Sequence, residues 1–106
     1  MPPFARTYSS VTIHAAKLLG KRIQLGRKSR GMTEAELAER CGISRSTVRS
    51  IEAGSPKVEI GLFFEAAVVV GVQLYTEEDV ELVASIQRID DRIALLPARV
   101  RAKSAH

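Results

Sequence analysis

The densest cluster of groups able to do chemistry is "SRSTVRS", residues 44 to 50. It carries two guanidinium groups, Arg45 and Arg49, and four hydroxyls, on Ser44, Ser46, Thr47 and Ser50. Hydroxyls in a row raise the question of nucleophilic catalysis. No histidine stands beside them to act as base, so an enzyme is not expected. The same groups suit the edges of nucleic-acid bases. Arginine can donate two hydrogen bonds to guanine, and the short hydroxyls reach either base type or a phosphate. On a helix, Val48 and Ile51 share a face at a three-residue step and leave the polar set on the other.

Other chemistries find little support. His14 and His106 lie far from each other and from Cys41, with no metal-ligand spacing. His14 reads as a packing or surface residue and Cys41 as a small core residue. A lone cysteine forms no internal disulfide, and neither metal nor cofactor is expected. No apolar run of about 18 residues exists to span a bilayer. The start, "MPPFARTYSS", lacks the apolar stretch of a secretory signal. The expected location is the cytoplasm, with nucleoid association when bound to DNA. The 106 residues, 45% hydrophobic, suit one small globular domain with an aliphatic core. Charge is unevenly placed. Residues 1 to 57 hold eleven Lys/Arg against four Glu, a balance of +7. Residues 58 to 98 hold two Arg against eight acids, a balance of −6, and the last eight residues add +3. The first half therefore suits a polyanion and the second half something else.

The elements that must position "SRSTVRS" can be read from caps and periodicity. Residues 1–9, with two prolines, form an N-terminal arm. Ser9 and Ser10 can cap a helix over Val11 to Arg30, whose inward face holds Ile13, Ala16, Leu19, Ile23 and Gly26. Gly31 ends it. Thr33 opens a second helix, with Glu36 completing a capping box. Leu37 and Ala38 point inward, Cys41 closes the helix, and Gly42 turns the corner with a cheap positive φ. Ile43 plugs that corner. Ser44 caps a third helix that stops at Gly54. The run "IGLFFEAAVVVGV" mixes strand-favouring valines with helical context; its Ala-Ala centre and helical neighbours favour a buried helix over 60–71, ended by Gly71. Thr76 with Asp79 forms another capping box, and Glu77, Glu78 and Asp79 suit a helix N-terminus. That last helix runs to about Leu95 and Pro97 stops it, leaving a basic tail over 97–106. Leu82, Ile86, Ile89, Ile93 and Leu96 step by 4, 3, 4 and 3, a heptad-type seam. It packs either on the chain's own domain or on a second protomer, as a symmetric dimer.

Two helices joined by a glycine corner make a helix-turn-helix unit, whose second helix enters the major groove in DNA-binding versions. Here "MTEAELAERCGISRSTVRSIEAG" resembles the unit of the Xre / lambda-repressor-like family, and "GKRIQLGRKSRG" resembles that family's first helix. The resemblance covers roughly residues 18 to 74. It implies an all-α, five-helix domain over residues 10–75 that binds double-stranded operator DNA as a homodimer, with the helix over 76–96 available for dimerisation. By matching positions it puts Arg45, Ser46, Thr47, Arg49 and Ser50 on the recognition helix, at the bases, with Ser44 at its start. It implies an ion pair between Arg27 and Glu52. One departure stands out: family members commonly carry Gln just after the position of Thr33, touching a phosphate, whereas this chain has Glu34. A carboxylate is repelled there, so Glu34 is expected to turn away or to serve the helix N-terminus. Phosphate contacts are expected from Ser44, Thr33, Lys28, Arg30, Arg40 and Lys57, aided by amides at helix starts. For each cation the alternative is plain solvated charge.

A narrower resemblance joins "SPKVEIGLFFEAAVVVGVQLY" and "IALLPARVR" to the small HipB-like regulators paired with HipA-type kinase toxins. It implies an antitoxin that also represses transcription. The alternatives are a stand-alone repressor and a partner-neutralising module with little specific DNA binding, the latter suggested by the acidic second half and by Arg99, Arg101 and Lys103.

Overall fold

The computed structural model describes residues 6–76 and 78–99. Among them lie five α-helices and no strand: α1 (Ser10–Ser29), α2 (Glu34–Cys41), α3 (Arg45–Glu52), α4 (Ile60–Val69) and α5 (Asp79–Ala94). The chain divides after Leu74 into two compact units. Part of the expected arm (1–5), Glu77, and Arg101 and Lys103 of the expected tail lie outside the described residues.

In the first unit, short polar signals start the helices and an apolar core fixes their positions. The Ser9 hydroxyl accepts the Thr12 amide at 3.3 Å and opens α1. Thr33 and Glu36 form a reciprocal capping box, each side chain accepting the other's backbone N–H, at 3.0 and 3.1 Å. Hydrogen bonds from Thr33 to the Glu36 carboxyl, first from its backbone and then from its side chain, hold that carboxyl below its usual range. Ser44 caps α3 by accepting the Thr47 amide at 3.0 Å. Between α2 and α3, Gly42 takes φ +68°, a left-handed turn that strains any residue with a Cβ. Beneath these helices Ile23, Leu37, Val48 and Ile51 are fully buried, closed by Phe63, Ala66 and Ala67 of α4 and by its C-cap Val70. Each of the larger aliphatics contributes about 1.5–3 kcal/mol by leaving water.

The α1–α3 contact is closer than side chains permit. Gly20 is buried in α1. A Cβ there would collide with the Ile51 carbonyl and come within 2.8 Å of the Glu52 carbonyl and 2.9 Å of the Gly54 amide. The two helices therefore meet backbone to backbone, and α3 sits at a depth set by a missing side chain.

At the far end of the same contact is a buried ion pair. Arg27 Nε donates to Glu52 Oε2 at 2.6 Å and Nη2 donates to Oε1 at 3.0 Å. Arg27 Nη1 donates to the Met32 carbonyl at 2.9 Å. Both residues are buried, at 7% and 6% exposure. The hydrogen bonds to Glu52 hold the guanidinium above its usual pKa against the opposing effect of burial. One side chain thus joins α1, the α1–α2 turn and α3.

Helix ends differ from the sequence reading in detail. The C-cap of α1 is Arg30, with Gly31 following at φ +63°, and α4 ends at Val69, two residues early. The start of α5 is a correction. Its N-cap is Glu78 and no side chain caps it, so Thr76 with Asp79 is not its capping box. Val72 and Leu74 still pack against the core, and the chain bends through residues 74–76 before it can wind. In the second unit, α5 has no buried residue. Ile86, Ile89 and Ile93 are 52–61% exposed and Leu82 is half-buried, while Leu96 lies beyond the helix end, past the C-cap Leu95. No helix among the described residues is long and apolar enough to cross a membrane.

The ion pair generates a test. Arg27→Ala or Glu52→Ala alone strands a buried charge and should destabilise the protein by about 3–5 kcal/mol, whereas Arg27→Met with Glu52→Leu should lose much less. Urea unfolding of the three variants measures this; additive losses in the double variant would show that the charges, not their separation, hold the fold.

Candidate nucleic-acid interface

α3 has the composition of a surface built to meet a ligand. It buries Val48, Ile51 and Glu52 and nothing else. Arg45, Ser46 and Arg49 are exposed and Ser50 is half-buried. At about 100° per residue these four cover roughly 140° of the helix, a continuous polar face. Core burial on one side therefore presents guanidinium and hydroxyl groups on the other.

The groups on that face are not equally available. Arg45 has no ion pair or side-chain hydrogen bond among the described residues. The Ser44 and Thr47 hydroxyls lie 2.9 Å apart and share one hydrogen bond, while Ser44 also accepts the Thr47 amide. Two hydroxyls with one shared proton leave one O–H to donate outward. Thr47 is half-buried, so it sits at the margin of the face. Ser46 and Ser50 complete its centre.

Arg49 departs from the sequence reading, which left the whole polar set free. Its Nε donates to Glu34 Oε2 at 3.2 Å. Side-chain exposure is 59% for Arg49 and 30% for Glu34. Glu34 does sit in the first turn of α2, where a carboxylate suits the helix dipole. It also closes an ion pair with Arg49 across the helix-turn-helix. The available signal was an acid and a base placed by the Gly42 corner on facing helices.

The expected phosphate-binding residues separate into groups. Thr33 flanks α2 at its start, but its amide donates to Glu36, its hydroxyl accepts the Glu36 amide, and its side chain also hydrogen-bonds the Glu36 carboxyl. Arg40 is exposed in the last turn of α2, and its charge adds to the lowering of the Glu36 pKa. Lys28 is exposed in the last turn of α1. Lys57 is exposed in the loop before α4. Arg30 lines an open groove with Arg22, Leu25, Gly26, Ser29 and Val70, to which α3 contributes no residue. Cys41 is half-buried against the core, and burial pushes its thiol up, as suits a packing residue. No three metal-ligating side chains cluster among the described residues.

These pieces form two short capped helices at a glycine corner, the second with a buried apolar stripe and an exposed arginine–hydroxyl face. A comparison with curated proteins found no match. The model of the family described as helix-turn-helix matches residues 23–75, half of the chain, a span running from within α1 to just beyond α4. On that match the chain belongs to the helix-turn-helix family, in its Xre / lambda-repressor-like form, and is a DNA-binding transcriptional regulator.

Proposed function

We propose that the protein is a sequence-specific repressor that lays α3 in the major groove of operator DNA, as a homodimer in the cytoplasm. The observation that carries this reading is the polar face of α3, with Arg45 at its exposed start and a buried stripe behind it. Arg45, Ser46, Thr47, Arg49 and Ser50 meet base edges. Ser44, Thr33, Lys28, Arg30, Arg40 and Lys57 meet phosphates, which fix register without reading sequence. Arg45→Ala should weaken operator binding by about 1–3 kcal/mol and relax preference at one base pair. With six phosphate contacts, log affinity should fall against log salt with a slope near −5, at about −0.9 per contact. Gel shifts on the protein's own promoter across a salt series measure both. Equal affinity for random DNA would sink the claim of specificity.

Residues 76–96 serve the dimer in this reading. A helix of 16 residues with none buried is marginal by itself in water, and a second copy of its Leu82–Ile86–Ile89–Ile93–Leu96 stripe is a complementary cover. Ile89→Asp should give a monomer by sedimentation and weaken operator binding more than tenfold through loss of the second half-site. A dimer that survives this change rules the stripe out as its seam.

Antitoxin action beside a HipA-type kinase rests on the resemblance of residues 55–75 and 93–101 alone. Co-expression with the product of the adjacent gene tests it. A stoichiometric complex supports the pairing; elution of the regulator alone leaves a stand-alone repressor.

A further inference from the structure

We propose that Glu34 is a positioning residue for base recognition: it grips Arg49 by Nε and thereby aims the terminal Nη1/Nη2 fork of that arginine at a guanine edge. The inference rests on the reading of α3 as the groove helix and assigns a task to an acidic residue in contact with its polar face. Arg49 Nε donates to Glu34 Oε2 at 3.2 Å, and no other bond from its guanidinium is present among the described residues. A guanidinium has five N–H donors in a rigid plane. With Nε–H committed, the pair of donors at the tip stays together and points away from the grip, the arrangement that suits the two acceptors of guanine.

Stability does not account for this pair. It is exposed on the Arg49 side, and exposed single ion pairs contribute little to folding. Holding a long flexible side chain before binding does matter, because its ordering otherwise opposes association. That effect corresponds to roughly a 2- to 10-fold gain in affinity for one side chain. The pair also answers the electrostatic difficulty that Glu34 poses. A bare carboxylate at the start of α2 would repel a phosphate, whereas one neutralised by Arg49 presents no net charge to DNA. Arg49 in turn is kept from drifting to the backbone as a plain phosphate anchor.

The test uses the full chain as wild type, Glu34→Ala, Glu34→Gln, Arg49→Ala and the Glu34→Ala/Arg49→Ala double variant. Each selects from a randomised duplex library and is then titrated against salt on the wild-type consensus. The wild type should enrich a guanine that Arg49→Ala loses. Glu34→Ala should weaken preference at that same position by roughly 2- to 10-fold, leave the positions set by Arg45 intact, and steepen the salt slope by up to about 0.9 as the released arginine finds a phosphate. Glu34→Gln, whose amide oxygen can still accept from Nε, should retain much of the preference. The double variant should match Arg49→Ala, since the two act as one unit. A Glu34→Ala motif identical to wild type overturns the proposal, as does uniform loss at every position, the mark of a merely structural role. A wild type that enriches nothing overturns the groove reading itself.

Discussion

The Arg27–Glu52 pair with its bond to the Met32 carbonyl is the constraint on which the rest depends. It is the point where α1, the turn leading into α2, and the C-terminal end of α3 are joined. Each oxygen of the carboxylate is used, and so are three of the guanidinium's donor sites. Such a contact is orientational, unlike the aliphatic packing around it, which tolerates sliding. Apolar burial of Val48 and Ile51 decides that α3 docks. The ion pair decides at which rotation, and the rotation determines which four side chains are left outside.

The caps have a double part. Ser44 starts α3 and its hydroxyl pairs with Thr47, so two hydroxyls at the N-terminal end of the face are already ordered. Thr33 and Glu36 do the same for α2. The consequence is that the N-terminal ends of both helices of the motif are fixed by their own side chains. Elsewhere in the same unit Lys28, Arg30, Arg40 and Lys57 are exposed as well. Eight of the twelve acids of the chain fall after residue 58.

Local rules carried most of the first unit. Thr33 with Glu36, Gly42, Ser44 and the Val48–Ile51 step are short-range signals, and the helices follow them to within a residue or two. The start of α5 escaped the same rules: its N-cap is Glu78, without a side-chain cap, rather than Thr76. Long-range facts were less legible. Gly20 reads in the sequence as an ordinary small residue on a helix, yet it faces the carbonyls of Ile51 and Glu52 more than thirty residues away. Glu34 and Arg49 are fifteen apart in sequence, and their meeting depends on the corner angle, which the sequence suggests only through Gly42. The exposed stripe of α5 was visible as a heptad pattern, but periodicity alone does not say what covers an apolar face.

Gly20 has a consequence for how such a protein can diversify. The depth of α3 is set by main-chain atoms touching main-chain atoms, not by the sizes of the residues α3 displays. Arg45, Ser46, Arg49 and Ser50 make no contribution to the core. They can be exchanged as a set, like type in a fixed frame, with the helix still presented at the same height and angle. Within that set Arg49 is the exception: it is bound to Glu34, so a new residue there calls for a matched change on the neighbouring helix.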